Sequence, residues 1–153
     1  TVSELNNTLK PITTSKKKLT NKAIEKCKPK LVKEGTILMS FKLSIGKLGI
    51  AGCDLYTNEA ILHINTNNEE LNKYIYYHIL SYSINNTASG CIGSGSLNKE
   101  KLKMLNIFIQ KNSLIQTEMV EYLDKLENKK NNIDEVINDI NTLMKEILEK
   151  SYN

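Results

Sequence analysis

The chain has 153 residues, of which 25% are charged, and a net charge of +4. No apolar run approaches the ~18 residues of a membrane span and no signal peptide opens the chain, so we expect a soluble, cytoplasmic protein. Cys27, Cys53 and Cys91 are odd in number and far apart, and His63 and His78 stand alone, which argues against a disulfide framework and against a metal site.

The charge is distributed unevenly along the chain. Residues 1–30 hold eight lysines against two acids, whereas residues 114–153 hold five lysines against nine acids. A basic front favours contact with a polyanion, and an acidic C-terminal part favours contact with protein. A solvated lysine face accounts for the charge equally well. Because the sequence has no arginine, any base reading would fall to Lys, Asn, Gln, Ser and Thr.

The first half of the chain predicts a polar segment followed by a small sheet. Residues 1–30 are polar and irregular, with Pro11 and Pro29 as breakers and one short helical turn at 21–27. Three short apolar runs are typical of strands, and Gly46 suits a turn between the first two. The runs cover residues 36–41, 48–51 and 60–64. Their spacing predicts an antiparallel or mixed sheet.

A change of hydrophobic period predicts a helix after the third strand. One helical face would carry Leu71, Ile75, His78, Ile79 and Tyr82. Asn67 or Asn68 can cap this helix. We expect His78 to be a core histidine rather than a ligand. Three tyrosines, Tyr74, Tyr76 and Tyr77, could stack on bases, but packing is the favoured interpretation.

The stretch after this helix is glycine-rich. Residues 90–96 (GCIGSGS) lack the spacing of a phosphate-binding P-loop, so we interpret them as an exposed loop beside DNA. A short helical turn at 98–103 and a last strand at 105–109 are expected to follow.

Residues 114–150 predict one long helix with an apolar seam. Alternating steps of four and three residues give the 3.5-residue period of a coiled coil. The seam consists of Met119, Leu123, Leu126, Lys130, Ile133, Ile137, Ile140, Met144 and Ile147. Packing on its own domain is the alternative, but such a helix usually drifts to a period of 3.6. Lys130, a charged residue at a seam position, indicates either a residue that fixes the register of the coiled coil or a local break in the seam.

The order of these segments resembles the specificity (S) subunit of type I restriction-modification systems, which also occurs as recognition domains fused to some adenine methyltransferases. Residues 19–41 resemble the family's "lv.kGt.l.s" segment, residues 44–61 its "iGkvaia......tNqai" segment, and residues 115–127 its "EQ..IV..LD.ld" helix. The matching positions include Thr20, Ile24, Gly35, Thr36, Leu38, Ser40, Ile45, Gly46, Lys47, Asn58 and Gln116. The tyrosine-rich helix resembles "Ylyy.L", and Ser89, Gly90, Leu97, Asn98 and Leu102 resemble a following "sGst...l" segment.

Two positions depart from the family pattern. Residues 110–113 (QKNS) replace a proline-rich entry to the long helix, so we expect a less rigid joint there. Glu59 follows Asn58 where glutamine is usual, so we predict no DNA contact at this position.

The resemblance implies an α/β (α+β-like) fold with a small mixed sheet and short helices. Residues 1–112 would form a target recognition domain whose N-terminal part is missing, because the chain is expected to be a piece of a longer protein. Residues 113–153 would form the coiled-coil helix. That helix would pair with a second recognition unit and dock a methyltransferase, which holds S-adenosylmethionine. A restriction subunit would join in systems that cleave.

The sequence carries no pattern of its own for catalysis. It lacks the "[DN]PP[YF]" and F-x-G-x-G motifs of adenine methyltransferases and a "PD…D/E-x-K" nuclease pattern, so we expect a DNA-binding, non-catalytic chain without a bound cofactor. Phosphate contacts are predicted for Lys16, Lys17, Lys18, Lys42 and Lys47. Base-edge contacts are predicted for Thr13, Thr14, Ser15, Ser44, Ser94 and Ser96.

Two other functions remain open on the sequence. One is a coiled-coil assembly protein whose head binds protein rather than DNA. The other is the recognition tail of a single-chain methyltransferase or restriction enzyme. A steep salt dependence of duplex binding would separate the first of these from a DNA reader.

Overall fold

A three-stranded antiparallel sheet forms the centre of the N-terminal part of the chain. The computed structural model describes residues 1–42, 45–86 and 107–151. The strands are β1 (Ile37–Ser40), β2 (Leu48–Ile50) and β3 (Ile61–Ile64), in the order β2-β1-β3. Leu38 on the central strand lies opposite Gly49 on one side and His63 on the other. All four residues of β1 are buried, and the three strands confirm those predicted.

The hydrophobic core lies against this sheet and includes a part of the chain far from it in sequence. The cluster consists of Leu5, Val32, Leu38, Ala51 and Ile61. Isolated bridges pair Ile12 in parallel with Ala51, and Val32 in antiparallel orientation with Leu55. The first thirteen residues are therefore fastened to the sheet.

Most of residues 1–30 are irregular, as the sequence predicts, but their attachment to the sheet was not predicted. Val2–Glu4 form a 3-10 helix, and Leu5 is 3% exposed. Leu5 and Ile12 approach β2 closely: a Cβ placed on Gly49 would lie 2.9 Å from Leu5 Cδ2 and 2.7 Å from Ile12 Cδ1. The apolar residues of a mostly polar segment were missed because they are isolated and show no period.

Among the described residues, three α-helices accompany the sheet. They are α1 (Asn21–Cys27), α2 (Glu69–Asn86) and α3 (Ser113–Ser151). Each begins at a capping side chain that satisfies a free backbone N–H of the first turn. Thr20 Oγ1 accepts the N–H of Ala23 at 3.2 Å, and Asn68 Oδ1 accepts the N–H of Leu71 at 3.0 Å. In α3, Asn112 Oδ1 accepts a backbone N–H at 3.0 Å. All three helices were predicted.

The tyrosines of α2 are core residues. Tyr74, Tyr76 and Tyr77 are 8%, 0% and 8% exposed, which confirms packing over base stacking. The strand predicted at 105–109 is wrong for its described part, since residues 107–109 belong to no strand. The loop predicted at 90–96 and the turn at 98–103 lie outside the described residues.

Contacts divide the chain into two compact units, Thr1–Val120 and Glu121–Asn153. Helix α3 contributes to both, and its 39 residues correspond to a length of about 58 Å. Among the described residues, no helix is long and apolar enough to cross a membrane. The division into a domain at 1–112 and a helix at 113–153 stays a prediction.

Candidate nucleic-acid interface

A cavity of about 260 Å³ lies between the N-terminal segment and the chain that follows β2. Its apolar lining includes Leu5, Ile12, Leu38, Leu55 and Ile61. Its polar lining includes five residues that the sequence assigns to DNA contact, namely Thr13, Thr14, Ser15, Lys17 and Lys18. All of these except Ser15 are exposed. The structure therefore gathers these candidates on one accessible surface, and their contact with DNA stays a prediction.

The segment that carries the threonines is held by β2 and its extension. The N–H of Ile12 donates to the carbonyl of Ile50 at 2.8 Å, and the N–H of Gly52 donates to the carbonyl of Ile12 at 3.0 Å. A Cβ on Gly52 would lie 2.6 Å from Pro11 Cβ and 2.8 Å from Thr13 Cγ2. Glycine at position 52 is what allows this close approach. Sequence reasoning missed it, because its partners are about 40 residues away.

A carboxylate holds the residues that lead into the lysine cluster, which we define as Lys16–Lys18. Ser15 Oγ donates to Glu4 Oε1 at 2.6 Å, and the N–H of Lys16 donates to the same oxygen at 3.0 Å. The N–H of Lys17 donates to Ser15 Oγ at 3.3 Å. Burial works to raise the pKa of Glu4, whereas the hydrogen bonds from Ser15 and Lys16 work to lower it.

Two further predicted phosphate ligands lie elsewhere, on the hairpin between β1 and β2. Lys42 and Lys47 are exposed, and Lys42 Nζ lies 6.0 Å from the centroid of the Phe41 ring. Gly46, with φ of +84°, makes the turn that the sequence predicts there. Lys47 precedes β2 and Thr13 contacts Cys53 beyond it, so a strand rise of ~3.3 Å per residue separates the backbone of Lys47 from that of Cys53 by at most roughly 20 Å. Ser44, Ser94 and Ser96 lie outside the described residues.

The charge around the cavity is dominated by lysine. All eight lysines of residues 1–30 are exposed, whereas Glu4 is turned inward and Glu25 is exposed on α1. Asp54 lines the cavity, but its carboxylate accepts a hydrogen bond from Lys33 Nζ at 2.6 Å. That bond holds the pKa of Asp54 below its ordinary value. The exposed surface of this segment is therefore strongly positive, as binding to a polyanion requires.

The histidine near the cavity, His63, is partly buried and lies at hydrogen-bond distance from a threonine side chain. His63 Nε2 lies 2.7 Å from Thr57 Oγ1, a hydrogen-bond distance. Burial lowers the pKa of His63, and the nearby charge of Lys30 lowers it further. Within the described residues, no three His, Cys, Asp or Glu side chains are grouped as metal ligands.

A second candidate surface is the apolar face of α3 within residues 121–153. Seam residues Ile133, Ile137, Ile140, Met144 and Ile147 are 49–65% exposed. Three apolar neighbours widen this face, namely Val136, Leu143 and Leu148, which are 53–57% exposed. Exposed apolar side chains at helical spacing are typical of an interaction surface, and pairing through this face stays a prediction.

Comparison with known proteins agrees with the resemblance seen in the sequence. A family model described as the type I restriction modification DNA specificity domain matches residues 2–142. Among curated proteins, no relative matches the chain. The family is a non-catalytic component that gives type I restriction-modification systems their DNA sequence specificity. Because the match covers nearly the whole chain, this protein belongs to the family of type I restriction-modification DNA specificity domains.

Proposed function

We propose that this chain reads one half of a two-part DNA site for a methyltransferase complex. The family match carries the general function, which is DNA sequence specificity. The gathering of Thr13, Thr14, Lys17 and Lys18 around one cavity supports this part of the chain as the DNA-facing surface.

Recognition would use two kinds of contact. The lysine cluster, together with Lys42 and Lys47, would bind phosphates and fix the orientation of the domain on the duplex. Exposed hydroxyls at Thr13 and Thr14 would form hydrogen bonds with base edges, as donors or as acceptors. Ser44, Ser94 and Ser96 stay further candidates for base contacts.

Helix α3 would supply the link to the other components. Its seam would pair with the equivalent helix of a second recognition unit and offer a docking surface for the methyltransferase. Completing the burial of five half-exposed apolar side chains would contribute on the order of 5 kcal/mol before the cost of association. The acidic surroundings of the seam favour protein over DNA as its partner.

Chemistry would belong to the partner. Adenine methylation requires S-adenosylmethionine, and we assign the binding of that cofactor to the methyltransferase subunit. A restriction subunit would join where the system cleaves DNA. We propose the cytoplasm, where cellular DNA is accessible, as the site of action.

The first experiment is selection of the intact protein against a random-sequence duplex library, with and without a methyltransferase partner. Enrichment of a short motif would support the recognition function, and a two-part motif would support pairing of two units through α3. Stable dimers without any enriched motif would favour a coiled-coil assembly protein instead. A methyltransferase fused upstream in the complete gene would identify the chain as the recognition tail of a single-chain enzyme.

Charge variants test the proposed surface. Replacing Lys16, Lys17 and Lys18 by Gln should reduce the salt slope of duplex binding by about three units, since each phosphate contact contributes about 0.9. The matched control replaces Lys125, Lys129 and Lys145, which are exposed on α3, and should leave duplex binding unchanged. Equal effects of the two triple variants would contradict the assignment of the lysine cluster.

A further inference from the structure

Glu4 lies beneath the lysine cluster and binds its backbone. A single carboxylate oxygen, Oε1, accepts the hydroxyl of Ser15 at 2.6 Å and the N–H of Lys16 at 3.0 Å. Ser15 Oγ then accepts the N–H of Lys17 at 3.3 Å. Three consecutive residues of the lysine-bearing segment are thus tied, directly or through one hydroxyl, to one acid.

This position is unusual for a carboxylate next to a phosphate-binding surface. An acid that merely neighbours bound DNA repels the phosphates, so its removal strengthens binding. The Glu4 side chain is 18% exposed, and its charge is directed at hydrogen-bond donors of its own chain. If Glu4 acts by repelling phosphates, its removal strengthens DNA binding. If it acts by holding the backbone of its own chain, its removal weakens DNA binding, so an experiment distinguishes the two effects.

We propose that Glu4 is a positioning residue for DNA binding, which fixes the backbone of Ser15–Lys17 so that the lysine cluster is presented to the phosphates in one arrangement. The inference rests on the proposed function, in which that cluster contacts DNA. Fixing the backbone before binding removes part of the ordering cost that a flexible lysine-rich segment meets on the duplex.

The test measures duplex affinity of the intact protein over a series of salt concentrations, with a fluorescent duplex of random sequence as the probe. Glu4→Gln should weaken binding about fivefold, the factor that corresponds to roughly one net hydrogen bond. It should also lower the salt slope by about one unit, because one phosphate contact is no longer held in place. If the substitution only lowered the stability of the protein, the molecules that stay folded would bind the duplex with an unchanged salt slope.

Two further variants separate position from charge. Glu4→Asp keeps the charge but shortens the side chain by one methylene group, so it should also weaken binding. Glu25→Gln removes an exposed acid of the same lysine-rich segment, on α1, and should leave binding unchanged or strengthen it. Thermal unfolding of each variant identifies those that are folded at the assay temperature.

The outcomes distinguish the positioning role of Glu4 from the proposed DNA binding on which it rests. If the triple Lys→Gln variant of the lysine cluster weakens binding but Glu4→Gln binds as tightly as the parent or more tightly, the positioning role is wrong and the DNA function stands. If the triple variant binds normally, the assignment of the cluster fails and the positioning role fails with it. Loss of cooperative unfolding in both Glu4 variants would assign the residue to fold stability and would also overturn the inference.

Discussion

Replacing Gly52 by Ala should loosen the segment that carries the predicted base contacts. The new Cβ would lie 2.6 Å from Pro11 Cβ and 2.8 Å from Thr13 Cγ2, against an ordinary carbon–carbon contact of about 3.5–4.0 Å. Relief requires a shift of about 1 Å. Such a shift would lengthen the bonds that join Ile12 to Ile50 and Gly52, now 2.8 and 3.0 Å, beyond the usual range of up to about 3.2 Å.

Together, overpacking and weakened hydrogen bonds should lower the free energy of unfolding by about 2 kcal/mol. Urea unfolding followed by circular dichroism measures this loss. Duplex affinity should fall severalfold at a temperature where the variant is folded, since Thr13 and the residues after it are displaced.

Gly35→Ala provides the matched control. Its Cβ would meet nothing within 4 Å, but its φ of +77° imposes strain of about 1–2 kcal/mol. It should therefore lose comparable stability and keep its DNA affinity. A Gly52→Ala variant whose free energy of unfolding lies within about 0.5 kcal/mol of the parent, and which binds DNA equally well, would contradict the predicted displacement of this segment.

Three other perturbations test the fold and the second surface. Asn72→Ala should cost roughly 2–3 kcal/mol in urea unfolding, because the buried side chain accepts two hydrogen bonds from Thr66 at 2.9 Å and donates to the carbonyl of Gly35 at 3.3 Å; a loss below about 0.5 kcal/mol would contradict this. Since the folded-state pKa of His63 lies below 6.5, the unfolded state binds more protons, so stability should fall as pH drops below 6.5; His63→Gln should flatten that part of the unfolding profile, and an unchanged profile would exclude His63 as its cause. Ile140→Asp should abolish helix pairing in sedimentation experiments on the intact protein, whereas Asn138→Asp on the outer face should not; equal dimer populations would argue against the seam.

Elements governed by local pattern were predictable from the sequence. The strands around Leu38, Gly49 and His63 follow from short apolar runs bounded by turn residues, and α2 follows from a change of period with Asn68 as a cap. The burial of the tyrosines follows from the same helix, because its buried face includes them as well as the periodically spaced apolar residues. The sequence is sufficient to predict a segment wherever interactions among its own residues determine its conformation.

The arrangement of the candidate site was not predictable in the same way. Glu4 binds Ser15 eleven residues later, and Asn7 Oδ1 accepts the N–H of Leu48 at 2.7 Å across forty-one residues. Neither contact has a period or a motif, and the apolar residue that anchors this region, Leu5, stands alone among polar neighbours. Tertiary contacts between single polar residues leave no signal in one sequence.

The position of the lysines has a consequence for how the domain would orient on DNA. A single basic cluster contacts the duplex at one site, and the domain can still rotate about that site. Here the hairpin residues Lys42 and Lys47 precede β2, whereas Thr13, which leads into the lysine cluster, contacts Cys53 beyond β2, at most roughly 20 Å from Lys47 along the strand. The pairing of β2 with β1, and of Ala51 with Ile12, holds the two ends of this strand at a fixed separation. If both groups bind phosphates, the domain has one orientation on the duplex, and the hydroxyls of Thr13 and Thr14 meet the same base pairs in every complex.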